Sequence, residues 1–391
     1  MKQRFSVFFI FLAITFFMSS LLFFSKHKTF AEEKNFLHLE SNQAILLDAD
    51  SKTIVYSHNE KEARPIASMC KIMTLLLCFE NIDNGNLSLD ETITISKNAS
   101  NMGGSQVFLE ENGEYKVHEL IKSIVVASAN DSCVALAERL CGNEELFVEK
   151  MNERAKQLKM DNTNFVNCTG LPKDGQFSCA IDVSKMFLEL ISHDDYFKFS
   201  KIWTDKFEHP NDRYTEIANT NKLIRFYEGC DSGKTGYTSQ AGHCLVASAK
   251  RNDMRLVCVV INAPDSKTRF KEVSSMFNYG FSNYTNKLIV DNTSPLEQKF
   301  EVVNGKKDQI EICTENPIFL FSKKNQKRNL EVVVKPNGII KAPIIKNQRL
   351  GTISVYEDGV LIKEENIVSL ENVDKKSYVD YLDDTILDWN I

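Results

Sequence analysis

Arg64-Pro65-Ile66-Ala67-Ser68-Met69-Cys70-Lys71-Ile72-Met73-Thr74-Leu75-Leu76-Leu77-Cys78-Phe79 leads through an Arg-Pro pair into a run that is apolar on nearly every side. A helix of that pattern has no face to give to water, so it belongs inside a core. At its start Ser68 and Lys71 stand three apart, which projects both from one face and lets the lysine take the serine's proton. A helix N-terminus also offers the Ser68 backbone N–H to a developing oxyanion. The S-x-x-K pattern alone is weak, because Ser25 and Lys28 repeat it.

On the N-terminal side, residues 44–56 alternate loosely around an Asp-Ala-Asp-Ser turn, the pattern of a β-hairpin. On the C-terminal side, residues 117–126 and 131–141 read as helices broken at Ser128-Ala129-Asn130-Asp131, where Asn and Asp favour a turn or a cap. Further helices are expected over 144–158 and 180–192, and two strands around a polar turn over 243–262. Beyond a boundary near 286–295 every apolar run is short. FEVV, QIEIC, IFLF, LEVVVK, GTISVYE and GVLIKE follow between Gly, Asn, Pro or Lys clusters, which signals a small all-β module.

Composition narrows the class. With 391 residues, 43% hydrophobic and 26% charged, and only 16 Gly and 8 Pro, the chain is globular and not collagen-like, low-complexity or disordered. Lys plus Arg total 47 against 53 Asp plus Glu, a net charge of −6 that lacks the basic footprint of a nucleic-acid binder. Lys2 and Arg4 precede an apolar run from Phe5 to Phe24, and the stretch ends at Thr29-Phe30-Ala31. Residues 1–31 therefore read as an export signal, with cleavage after Ala31 favoured over a retained anchor. The protein is expected outside the cytoplasmic membrane.

Ten cysteines in an exported chain invite disulfides. Cys78, Cys133 and Cys258, however, sit inside apolar runs where a thiol acts as a small hydrophobe. Cys244 and Cys258 could face each other on neighbouring strands. No cysteine pair has zinc-ligand spacing and the seven His form neither HExxH nor HxH, so no metal and no cofactor are expected.

Two more short motifs complete a set. Ser128-Ala129-Asn130 fits S-x-N, as Ser96-Lys97-Asn98 also does, and Lys234-Thr235-Gly236 is the only K-[ST]-G in the chain. S-x-x-K, S-x-N and K-T-G in this order and context form the signature of serine enzymes that bind penicillin. PIASMCKIMT, VVASANDSCVALAE, FVEKMNERAKQLKMDNTNFVNCTGL, NTNKLIRFYEGCDSGKTGYTSQAGHCLVASAKR and APIIKNQRLGTISVYEDGVLI extend the likeness over nearly the whole mature chain. The sequence resembles the low-molecular-mass penicillin-binding proteins, the serine D-Ala-D-Ala carboxypeptidases of bacterial cell walls (peptidase S11 family). S-A-N at 128–130 is closer to these than the S-D-N of class A β-lactamases, and no ExxLN segment lies between Asn130 and Lys234.

The resemblance implies an α/β transpeptidase/β-lactamase-like domain over 32–286, an antiparallel sheet flanked by helices with a helical subdomain bearing Ser128. A small all-β sandwich over 287–372 and an acidic amphipathic tail over 373–391 would follow. It further implies that Ser68 attacks the carbonyl between the two terminal D-alanines of a peptidoglycan stem peptide, with Lys71 as general base. Ser128 would pass a proton to the leaving amine, and Asn130 would hold the lysine and the substrate amide. Lys234 would add positive charge, Thr235 would hydrogen-bond the terminal carboxylate, and bare Gly236 would let the peptide pair with the strand edge. The Tyr237 N–H would be the second oxyanion donor, its side chain packing alone. Arg269 would either help bind the carboxylate or be an ordinary surface charge. Water would deacylate the enzyme, and β-lactams would trap Ser68.

A D,D-endopeptidase or weak β-lactamase using the same serine is the alternative enzyme reading. A penicillin-binding scaffold at the wall is the non-enzymatic one. Four positions depart from the family pattern: Cys70 where Thr is usual, Gly233 where a bulky apolar residue is usual, and Lys159 and Cys168 where Gly and Pro or a small residue are common. Gly233 could loosen the strand edge, and Cys70 is either open to oxidation or a buried small residue. In the tail, Tyr378, Tyr381, Leu382, Thr385, Ile386 and Trp389 recur at helical spacing. Asp380, Asp383, Asp384 and Asp388 would be repelled by anionic lipid, so weak or conditional membrane-surface contact is expected.

Overall fold

The computed structural model describes residues 37–382. The export signal assigned to 1–31 and the tail positions Asp383, Asp384, Thr385, Ile386, Asp388 and Trp389 lie outside the described residues.

The hairpin forms as expected: β1 (Gln43–Asp48) and β2 (Ile54–His58) pair antiparallel. They join β3 (Cys230–Thr238), β4 (Gly242–Arg251) and β5 (Met254–Ala263) in one antiparallel sheet of order β2-β1-β5-β4-β3. β3, which carries Lys234-Thr235-Gly236, is thus an edge strand. β1 is buried at all six positions, as expected of a strand covered on both faces. Alternate residues serve different layers. Ile45, Leu47, Val257, Val259 and Ile261 join the helical core. On the other face the helix α6 (Ser266–Asn283) comes so close that a Cβ on Gly280 would lie 2.4 Å from Leu256 Cδ1.

The helical layer holds α1 (Lys71–Asp83), α2 (Val117–Ala127), α3 (Asn130–Cys141), α4 (Glu144–Gln157) and α5 (Ala180–Leu190), close to the expected spans. Every residue of α1 from Lys71 to Phe79 is buried, the outcome its all-round apolar pattern requires. Asn143 caps α4 by accepting from the Leu146 N–H at 2.8 Å, with Glu144 and Glu145 in the first turn.

β6 (Tyr284–Val290) follows α6 directly and pairs with β8 (Ile318–Lys323), so the strand runs through the 286/287 position. β7 (Ile312–Thr314), β9 (Leu330–Pro336), β10 (Arg349–Glu357) and β11 (Val360–Ser369) form a second sheet of order β7-β11-β10-β9. This C-terminal β domain has its own core, which includes Phe300, Ile310, Ile353, Val355 and Ile367.

All ten cysteines are free thiols, nine of them buried. Cys244 and Cys258 do not face each other. Cys258 stands opposite Ala247, with its Sγ 3.3 Å from Met276 Sδ, whereas Cys244 stands opposite Gly236 and turns its thiol toward the Ala241 carbonyl at 3.4 Å.

Candidate active site

Ser68 lies in a 3₁₀ turn, Ala67–Cys70, that leads into α1, so the expected single helix is really a tight turn followed by an α-helix. In a 3₁₀ turn residues i and i+3 eclipse, and Lys71 Nζ sits 3.0 Å from Ser68 Oγ. Two glycines hold this turn from either side. A Cβ on Gly170 would lie 2.1 Å from the Ala67 carbonyl oxygen, and one on Gly236 would lie 2.6 Å from that of Ile66. Ala67 itself takes φ +49°, a left-handed conformation that costs a non-glycine residue energy and that the close walls enforce.

Lys71 is fully buried and donates a second hydrogen bond to the Thr169 carbonyl at 2.5 Å. That carbonyl is aimed by Asn167, whose Oδ1 accepts from the N–H groups of Thr169 (3.2 Å) and Gly170 (2.7 Å). Thr74 Oγ1 donates to Cys168 O at 2.7 Å and Cys70 Sγ to Asn167 O at 3.2 Å, which ties the turn to the lysine's own helix. Cys70 is 0% exposed and burial pushes its thiol pKa up, so it is the buried small residue and not a reactive one. Burial lowers the pKa of Lys71, because the charged ammonium is poorly solvated there. A neutral amine beside a serine hydroxyl is a base.

Ser128 closes α2 in a left-handed conformation, φ 63° and ψ 33°. Its Oγ accepts from Lys234 Nζ at 2.8 Å, joining S-x-N and K-T-G across 106 residues. Lys234 also donates to Thr235 O at 3.1 Å. Burial first, then the neighbouring Lys71 and Arg269 charges, hold its pKa well below the usual lysine range. Asn130 behaves differently from expectation. Its Nδ2 donates to Gly103 O and its N–H to Ser105 O, both at 2.7 Å, and among the described residues it makes no hydrogen bond to Lys71. The adjoining Asp131 is buried and accepts from the N–H groups of Val107 (3.0 Å) and Leu109 (3.2 Å). Asn130 and Asp131 together therefore pin the 103–109 loop beside Ser128.

Thr235 and Gly236 are buried on β3, and Tyr237, 60% exposed, stacks on His243 with ring centres 4.4 Å apart. Arg269 is only 7% exposed, which rules out the ordinary surface charge. Its Nη1 donates to Gly236 O (3.2 Å) and Cys244 O (3.1 Å), where the β4–β5 register slips between His243 and Leu245. Here the guanidinium braces the strand edge, and burial lowers its pKa to about 10. Gly233 does not loosen that edge. A Cβ there would lie 2.6 Å from both Asn221 Nδ2 and Val246 O, so a side-chain amide and a carbonyl fill the space a bulky residue would need. Lys159 stands at φ +55°, a conformation that glycine adopts more readily.

Sequence reasoning missed Asn167, Thr169 and Asp131. The Asn-Cys-Thr-Gly run signals a turn, yet nothing in it announces that its carbonyl meets Lys71.

Residues 28–265 match the D-alanyl-D-alanine carboxypeptidase family and residues 284–375 match the penicillin-binding protein 5 C-terminal domain. The chain is 38% identical over 351 residues to D-alanyl-D-alanine carboxypeptidase DacF of Bacillus subtilis, covering 90% of each. Among solved structures it is similar to penicillin binding protein 5 from Haemophilus influenzae, with 28% identity, TM-score 0.67, and 86% of this chain and 98% of that one covered. It is also similar to penicillin-binding protein D2 from Listeria monocytogenes in the ampicillin-bound form, with 30% identity, TM-score 0.57, and 63% and 99% covered. With a buried lysine on its serine and a second one on Ser128, the chain belongs to the D-alanyl-D-alanine carboxypeptidase family.

Proposed function

We propose that the protein removes the terminal D-alanine from peptidoglycan pentapeptide stems through an acyl-enzyme at Ser68. The observation that carries this reading is the buried Lys71 amine 3.0 Å from Ser68 Oγ. Neutral Lys71 takes the hydroxyl proton as Ser68 attacks the carbonyl of the penultimate D-alanine. The N–H groups of Ser68 and Tyr237 flank the developing oxyanion, and the bare Gly236 edge lets the peptide lie alongside β3. As the C–N bond breaks, Ser128 passes a proton to the departing D-alanine amine, and Lys234 beside it compensates the charge. Thr235 receives the terminal carboxylate while Arg269 keeps the strand in place. Water then hydrolyses the ester and returns Ser68. A β-lactam carries the same acyl group with a tethered leaving amine, so it acylates Ser68 and inhibits.

A scaffold needs none of this. Two lysines fully desolvated side by side are costly, and only chemistry makes use of them. The reaction is proposed to occur outside the cytoplasmic membrane, on the strength of the 1–31 pattern. Tail contact with a membrane surface would be conditional, since Tyr381 Oη donates to Asn304 Oδ1 at 2.9 Å and Asp380 pairs with Lys306 at 3.7 Å on the β domain.

The test is D-alanine release from an N-acylated peptide ending in D-Ala-D-Ala. Release is expected from the native protein and abolished by Ser68→Ala and by penicillin. Release that survives Ser68→Ala would overturn the assignment.

A further inference from the structure

A pocket of about 130 Å³ adjoins the serine, and its lining includes Ala67, Gly170, Lys173, Asp174, Thr238 and Gln240. A space of that size suits the end of one side chain. Its place relative to the reaction is set by β3. A peptide whose terminal carboxylate reaches Lys234 and Thr235, and whose scissile carbonyl reaches Ser68, continues past Tyr237 toward Thr238 and Gln240. The side chain that meets this pocket is therefore that of the residue preceding the two D-alanines. In peptidoglycan stems that residue is a diamino acid, ending either in an ammonium alone or in an ammonium and a carboxylate together.

The pocket wall carries one charge of each sign. Asp174 has no hydrogen bond or ion pair from its carboxylate among the described residues, and Lys173 reaches only Val166 O at a long 3.5 Å. The turn that presents them is braced. Gln176 N–H donates to Lys173 O at 3.3 Å, Asn164 Nδ2 to Gly175 O at 2.7 Å, and Gln176 Oε1 accepts from Val166 and Asn167 N–H, both at 3.0 Å. Asn167 is the residue that also aims Thr169 O at Lys71, so the charged turn and the catalytic base share one support.

Resting on the carboxypeptidase reading, we propose that Asp174 and Lys173 select stems whose third residue ends in a zwitterion, as a diaminopimelate side chain does. Asp174 takes the ammonium and Lys173 the carboxylate. The test compares D-alanine release by the full-length protein from three stem pentapeptides, with diaminopimelate, lysine or Nε-acetyl-lysine third. The native protein is expected to prefer them in that order by kcat/KM. Asp174→Asn should lower kcat/KM about 5-fold on the two amine-bearing stems and leave the acetylated one unchanged. Lys173→Gln should lower it about 5-fold on the diaminopimelate stem alone. Penicillin acylation of Ser68 should be unchanged in both variants, which separates recognition from a damaged site. Equal effects on all three stems, or none, would overturn the proposal, and release from the acetylated stem would then leave the reaction itself standing.

Discussion

Lys71 has to be without its proton before it can accept one from Ser68, and its surroundings decide at what pH that happens. Burial disfavours the ammonium, so the pKa falls below the ordinary 10.5 and the neutral fraction at a given pH rises. Acylation of Ser68 by penicillin should accordingly increase with pH and level off below 10.5, as a pH profile of the acylation rate constant would reveal. A rise that continued to pH 10.5 would mean an unshifted lysine. Lys71→Arg keeps the charge and most of the bulk but cannot give up its proton near neutrality. It should cost roughly 10²- to 10⁴-fold in acylation rate, the range general-base catalysis supplies.

At the scale of elements, the site is a junction of one turn, one loop and one strand, and glycine makes the junction close. Gly236→Ala would drive a Cβ to 2.6 Å from the Ile66 carbonyl oxygen and 3.2 Å from the Ser68 nitrogen. Because the first of these is backbone, the serine turn has to shift, and a misplacement of that kind costs on the order of 10²-fold in rate. Acylation kinetics should register that loss while the thermal midpoint moves much less.

The same junction explains what could and could not be read in advance. The loose alternation of the β1–β2 hairpin, the all-round apolar run of α1 and the two apolar runs about a polar turn in β4–β5 are local patterns, so the existence of these elements was legible. The three motifs named Ser68, Lys71, Ser128, Asn130 and Lys234 because chemistry constrains side-chain type. Thr169 contributes a carbonyl, which any residue possesses, and it meets a lysine 98 positions away. The Ser128 conformation, the register slip beside Cys244 and the partners of Arg269 are likewise settled by contacts between distant segments, which no local pattern records.

At the scale of the molecule, the site elements from the serine turn to Arg269 all precede β6, and the C-terminal β domain is built around a separate core. A chain shortened after Asn283 should therefore still be labelled at Ser68 by penicillin, at a rate within about 2-fold of the whole protein, as independent cores permit. It should melt earlier, since it loses the Tyr284–Phe321 stack, whose ring centres are 5.0 Å apart. Loss of labelling in a soluble, folded fragment would tie the β domain to the site.

The ten free thiols give the folded molecule and its unfolded chain opposite chemistries. Once packed, nine of them are buried away from oxidants, and Cys141 alone among the ten keeps partial exposure. Before packing, all ten are accessible, and in an oxidising compartment each could pair with any other. Such pairing is therefore confined to chains that meet an oxidant before they have folded.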